Sequence, residues 1–340
     1  MSIPYVTQDY SVLSRLCADK KVMIICDENS AKYCLPRFSE QLEHSSFHSL
    51  VLPPGESSKS LDCSQIIWDQ LLEHRFSRND ILIGLGGGMI TDLIGWIATT
   101  YKRGMLCALV PTTVLGAVDA SIGGKNGINY AHLKNQIGTF NIPDHVLIDP
   151  IYFESLDHKT WYAGFAEMIK HALISSQDDW QKLQNHKSPR DTITTQDILS
   201  SMHIKHAIVE QDFKESGIRK ALNFGHTIGH ALESYFLQTD TPLLHGEAVA
   251  YGMLLEIDLS VWQSDLDPNL AEEIKAYISN LYTLPRIPDH AIEDIIAYMH
   301  HDKKNTADEI KAVLLSAVGH TRLNESLYVA DVKRAIASYI

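Results

Sequence analysis

Short apolar runs alternate with helical periods through the first half of the chain. The run over 22–26 is unbroken and predicts a buried parallel strand. It ends in Asp27, Glu28 and Asn29, which places carboxylates at the strand end where open α/β sheets bind ligands. A second apolar run leads to a turn over 53–59, then a helix over 61–76, a strand over 81–85, a glycine turn over 86–88, a helix over 89–101 and strands over 106–110 and 146–149. After about Ser155 the periods become helical, with no further strand until 312–315.

Two of the later helices carry unusual polar faces. Phe165, Met168, Ile169, Ala172 and Leu173 form an apolar stripe, with Glu167, Lys170 and His171 opposite it. Taken alone, that face reads as solvated, with Glu167 paired to Lys170 or His171. Ile228, Ala231, Leu232 and Tyr235 recur at helical spacing, so Asn223, His226 and His230 share the opposite face, and Arg219 joins them if the helix starts that early. Histidines four apart can share a divalent metal, completed by His245 or by an upstream carboxylate such as Glu167. They can equally be partly buried histidines bonded to the backbone.

A chain of 340 residues exceeds what one hydrophobic core usually serves, so two domains are expected. Hydrophobic content of 45% is ordinary for a globular enzyme, and no segment has the apolar length of a membrane helix. The start lacks a basic region followed by an apolar run, so a cytoplasmic location is expected. A net charge of −13 excludes a general nucleic-acid or anionic-membrane surface. The five cysteines are odd in number and lack C-x-x-C spacing, which indicates neither a disulfide framework nor a thiolate zinc site. Lysines that sit inside motifs therefore carry more weight.

The glycine turn before a helix suits a phosphate, since backbone amides and a helix N-terminus can approach it closely. The third glycine of the dinucleotide fingerprint is replaced by Met89, and Asp92 sits one turn into the helix, where it can cap amides or face a ligand. Asp119, Lys125, Lys134 and Asn135 lie among glycines and small residues; by themselves they read as solvated loop charges, as does the segment 302–305.

The ordered series P-G-E-x-x-K (54–59), G-G-G-x-x-x-D-L-x-G (86–95), P-T-T (111–113), V-D-A-S-I-G-G-K (118–125), K-N-x-I-G-x-F (134–140), A-E-M-I-K (166–170), L-N-F-G-H-T-I-G-H-A (222–231), H-G-E-A-V-A (245–250) and D-K-K (302–304) resembles the 3-dehydroquinate synthase family. The resemblance implies an N-terminal Rossmann-like α/β domain over 1–155, a C-terminal helical domain over 156–340, and an active site in the cleft between them. It implies metal ligands at Glu167, His226 and His245, so that His230 is not a ligand. NAD contacts are implied at Asp27, at Pro54, Gly55, Glu56, Ser57, Ser58 and Lys59, at Gly88, Met89, Ile90, Thr91 and Asp92, at Thr112 and Thr113, at Lys125 and Lys134, and at Tyr152, Phe153, Glu154 and Ser155. Substrate-handling positions are implied at Asp119, Lys125, Lys134, Asn135, Lys170, Lys205, Arg219, Asn223, His230 and Lys303, with Arg103 reaching in from the partner of a homodimer. Departures from the family pattern at Pro54, Met89, Trp96, Ser155 and Asp157 fall on the cofactor side.

The implied substrate, 3-deoxy-D-arabino-heptulosonate 7-phosphate, carries a phosphate and a carboxylate that an acidic protein must hold with locally placed cations. A zinc or cobalt ion suits the two-histidine, one-carboxylate set. Three rivals share parts of this pattern: another sugar-phosphate cyclase, a metal-dependent polyol dehydrogenase that would consume NAD stoichiometrically, and a cofactor-binding regulatory protein without turnover.

Overall fold

The computed structural model describes residues 5–42, 46–131, 133–300 and 310–339. Two compact units divide the chain, Met1–Asp157 and His158–Ile340.

In the first unit β1 (Tyr5–Thr7), β2 (Val22–Asp27), β3 (Phe47–Leu52), β4 (Ile81–Gly86) and β5 (Leu106–Pro111) come in chain order, followed by β6 (Lys125–Tyr130), β7 (Leu133–Phe140) and β8 (His145–Leu147). Six of these form one sheet in the order β1-β8-β5-β4-β2-β3, every pair parallel. All six residues of β4 are buried, as are Val22 to Cys26 of β2, which is why both appear in the sequence as continuous apolar runs.

β6 and β7 pair separately as an antiparallel hairpin. This corrects the loop reading of Lys125, Lys134 and Asn135, which lie on hairpin strands. The hairpin hides from a hydrophobic pattern because its apolar residues, such as Ile128, Ile137 and Phe140, are scattered among glycines and polar groups. The helix after the 54–59 turn ends at Glu73 rather than 76, and the strand expected over 146–149 ends at Leu147, leaving Asp149 to cap the turn that follows.

The second unit is helical apart from the antiparallel pair β9 (Ile310–Ala317) and β10 (His320–Leu327), the latter too polar to register as a strand. Its core gathers Ile228, Leu232, Tyr251, Leu255, Leu314 and Val332. The helix His158–Ser175 is buried all round from Trp161 to Ile174, so the expectation of a solvated face at Glu167, Lys170 and His171 is overturned. His171 Nδ1 meets Ser201 Oγ at 2.9 Å. No helix among the described residues is long and apolar enough to cross a membrane.

Glycines set how closely the helices pack. A Cβ at Gly246, in the helix His245–Gln263, would stand well inside contact distance of the Ala163 carbonyl, and one at Gly252 would do the same to the Gly225 carbonyl. The helix carrying His245 therefore touches both the helix carrying Glu167 and the turn before His226, backbone to backbone. Gly246→Ala is expected to cost about 3 kcal/mol or more, because the obstructing atom is backbone and cannot rotate away. Urea denaturation checks this; a change below about 0.5 kcal/mol would show that the helices separate without penalty.

Candidate active site

Each stretch of expected nucleotide contacts in the first unit, the hairpin lysines apart, lies at the carboxyl end of a parallel strand. Asp27 ends β2, the 54–59 turn follows β3, Gly88 to Asp92 open the helix Gly88–Thr100 after β4, Thr112 and Thr113 follow β5, and Tyr152 to Ser155 follow β8. β2 lies between β3 and β4, so the chain runs from β2 outward to β3 and then back past it to β4. Such a reversal leaves a crevice at the carboxyl ends of the strands. The helix beginning at Gly88 has Gly87 as N-cap and no side-chain cap, which leaves first-turn amides for a ligand.

Several expected contacts also have partners within the unit. Asp27 accepts from Ser30 N at 2.8 Å and caps the next helix. Asp92 pairs with the buried Lys59 ammonium. Burial pushes Lys59 down, but Asp92 and then Glu56 outweigh it and its pKa is raised. Glu56 Oε1 accepts from Asn129 Nδ2 at 2.9 Å, which ties the turn to β6, and Ser58 Oγ donates to Pro53 O at 2.7 Å, which closes the turn on itself. Thr113 Oγ1 accepts from Gly116 N, and Thr91 and Ser155 donate to Gly88 O and Tyr152 O. Pro54, Gly55, Ser57 and Glu154 are exposed, Met89 is half-buried, and Ile90, Thr112, Tyr152 and Phe153 are buried. Asp119 lies in a single helical turn, Gly116–Ala120, while Lys125, Lys134, Asn135 and Arg103 are exposed.

In the second unit the close helix approach brings Glu167, His226 and His245 together. Glu167 Oε1 lies 3.4 Å from His226 Nε2 and 3.6 Å from His245 Nε2. Both carboxylate oxygens are sealed from solvent and neither receives a hydrogen bond of ordinary geometry. The two separations are long for hydrogen bonds, yet close to the edge of about 3.3–3.4 Å of a tetrahedron with nitrogen and oxygen ligands about 2.0–2.1 Å from zinc. The donor set therefore fits a divalent metal.

The Nδ1 atoms are held from behind, His226 Nδ1 by Phe224 O at 3.1 Å and His245 Nδ1 by Glu233 Oε2 at 3.1 Å. Because a carbonyl only accepts, His226 Nδ1 carries the proton and Nε2 keeps its lone pair. His230 packs beside them, its ring centroid 5.2 Å from that of His226 and 5.7 Å from that of His245. Ligand atoms of all three imidazoles lie within 4.8 Å of one another, so the histidines cluster whichever of them bind.

Charge around this centre is tightly balanced. Burial alone would raise Glu167, but the Lys170 ammonium against it and the His226 ring hold the carboxyl well below the usual carboxylate range. Burial, reinforced by Lys170, pushes His226 down to about 4. Burial opposes a charge on His245 too, but Glu167 and Glu233 pull it up to about 10. Sequence reasoning missed Glu233, although it lies seven residues after His226 and thus on the same helical face.

The structure also corrects the expected helix start. The helix is His226–Phe236; Gly225 ahead of it has φ +78°, and Arg219 and Asn223 belong to a separate 3-10 segment, Ile218–Asn223. Asp212 organises the approach to that segment, accepting from Ser216 N at 2.9 Å, Gly217 N at 2.6 Å and Arg219 N at 3.1 Å. Arg219 is buried and donates to Phe213 O, and Asn223 Nδ2 donates to Glu215 Oε1 at 2.6 Å. Lys170 and Lys205 are buried, an uncommon state for lysine. Lys303 lies outside the described residues.

The fold is one found in solved synthases and alcohol dehydrogenases. It matches the crystal structure of 2-deoxy-scyllo-inosose synthase complexed with carbaglucose-6-phosphate, NAD+ and Co2+, with a TM-score of 0.87 at 21% identity over 99% of this chain and 96% of that one. Sequence relatives narrow the class. A 3-dehydroquinate synthase of Parabacteroides distasonis is 38% identical over 336 residues, 98% of this chain and 94% of its own, and one of Bacillus cytotoxicus is 39% identical over 89% of this chain and 82% of its own. Family models for the 3-dehydroquinate synthase N-terminal and C-terminal regions match residues 49–163 and 164–305. The chain belongs to the 3-dehydroquinate synthase family.

Asp212 yields a pH prediction. Against some desolvation, the N–H groups of Gly217, Ser216 and Arg219 pull its carboxyl down to about 2 from an ordinary 3.8. A depressed pKa means that its contribution to stability is present above pH ~4 and lost as the pH falls toward 2. Asp212→Asn is expected to lower Tm at pH 6 and to converge on the parent protein only as the pH falls to about 2; thermal melts across that range check it, and a constant difference would mean the charge is irrelevant.

Proposed function

We propose that this chain converts 3-deoxy-D-arabino-heptulosonate 7-phosphate to 3-dehydroquinate and inorganic phosphate, the shikimate-pathway reaction that leads to aromatic amino acids. The reading is carried by one observation: a buried carboxylate oxygen faces two imidazole Nε2 atoms at ligand-to-ligand spacing, in a chain of this family. Over the whole reaction an alcohol is oxidised to a ketone, phosphate leaves as the neighbouring C–H is lost, the ketone is reduced again, the ring opens and an aldol addition closes the carbocycle. Redox change sums to zero.

Glu167, His226 and His245 would hold a divalent cation, zinc or cobalt, whose Lewis acidity favours ionisation of a substrate alcohol. Asp27, the 54–59 turn, residues 88–92, Thr112, Thr113, Lys125, Lys134 and residues 152–155 would hold NAD, a reversible hydride acceptor. His230 moves a proton at the alcohol. Asn135, Lys170 and Lys205 orient hydroxyls, Arg219, Asn223 and Lys303 bind the anionic ends, and Asp119, Lys125 and Lys134 complete the substrate contacts. Lys170 has a second task, since its ammonium also holds Glu167 ionised. We place the enzyme in the cytoplasm as a homodimer, with Arg103 contributed by the partner subunit.

Incubation with the heptulosonate phosphate, catalytic NAD and zinc is expected to release phosphate without accumulating NADH. Stoichiometric NADH would indicate a polyol dehydrogenase, and inactivity here with turnover of another phosphorylated sugar would indicate a different cyclase. His226→Ala is expected to lose the metal and with it all activity, whereas His230→Ala keeps the metal and loses turnover by ~10²–10⁴. Metal content of the two purified variants decides; equal loss would make His230 a ligand.

A further inference from the structure

His226 is the first residue of its helix, where unsatisfied amides and fraying make a poor platform for a metal ligand. Its N-cap, Gly225, has no side chain with which to cap. The missing cap comes from another helix. Glu256 lies in the middle of His245–Gln263, fully buried among Leu254, Leu255, Ile257 and Leu259, where a carboxylate is costly unless it is bonded. Its Oε2 accepts from Gly225 N at 2.6 Å and its Oε1 from Ile228 N at 3.2 Å, the amides on either side of His226. Gly252, one turn earlier on the same face, lets the two backbones come close enough for this.

We infer that Glu256 is a positioning residue that acts on His226 through the Phe224–Gly225 peptide. That peptide is one rigid plane. Its N–H donates to Glu256 Oε2, and its carbonyl accepts from His226 Nδ1 at 3.1 Å. The plane therefore fixes the imidazole's orientation according to where Glu256 holds the amide. A carboxylate on the N–H side also polarises the carbonyl, which strengthens its hold on Nδ1–H and raises the basicity of Nε2. His245 has its carboxylate directly on Nδ1, in Glu233; His226 has one at a distance of one peptide unit. Sequence shows only an acid in an apolar helix.

The inference rests on Glu167, His226 and His245 holding a metal. Zinc dissociation constants are to be measured by chelator competition on the metal-free parent protein, Glu256→Gln and Glu256→Asp, with the visible spectrum of each Co2+-loaded form. In Glu256→Gln the amide oxygen satisfies one N–H while its NH2 opposes the other, and zinc binding is expected to weaken about 10–100-fold with a shifted cobalt band, as for other groups that orient metal ligands. Glu256→Asp, which keeps the charge but falls short, should lie between. Unchanged zinc affinity with a lowered Tm would overturn the inference and leave Glu256 a structural cap. Failure of the parent protein to bind zinc would instead remove the metal centre itself. Should the variants not fold, amide exchange in the metal-free parent decides: the Gly225 N–H is expected to be protected before metal arrives, and rapid exchange there would overturn the proposal.

Discussion

The second unit is organised around a carboxylate sealed from solvent. Glu167 is buried inside a helix that is itself buried on every side, and an ion in that position survives only if its surroundings are committed to it. The Lys170 ammonium supplies the opposite charge, and the two imidazoles present nitrogen atoms at distances too long for good hydrogen bonds and suitable for sharing a cation. Helix packing follows from the same demand. Gly246 and Gly252 remove the side chains that would hold the helices apart, and the imidazoles reach Glu167 because the backbones touch.

Around this centre each group is fixed by another. Phe224 O and Glu233 anchor the two Nδ1 atoms, and the amides flanking His226 end on Glu256. The electrostatics diverge accordingly: burial and Lys170 push His226 down, whereas Glu167 and Glu233 pull His245 up. Two chemically identical side chains thus differ in proton affinity because of their neighbours.

The first unit works by topology. Its strands are apolar throughout and say little about chemistry, yet their parallel order collects a carboxylate, a lysine–carboxylate pair, a glycine-led helix start and two threonines at one end of the sheet. Residues far apart in sequence, such as Cys26 and Leu85, become neighbours near that edge because every strand runs the same way.

Much of this was legible in the chain itself. Continuous apolar runs are readable as buried parallel strands because both faces are covered, and the ordered motifs from Pro54 to His245 were enough to name the family. Local pattern could not reach features that depend on partners distant in sequence. The 125–140 hairpin does not show in the periodicity, the helix of His226 starts where Gly225 turns rather than at Arg219, and Glu167 and Lys170 looked like a solvated pair. Burial is a property of what packs against a residue, and so is the state of a carboxylate or an imidazole. Residue types and their spacing determined the family and the candidate chemistry; tertiary packing alone decided that Glu233 meets His245 and Glu256 meets the amides of Gly225 and Ile228, because only the fold brings those oxygens to them.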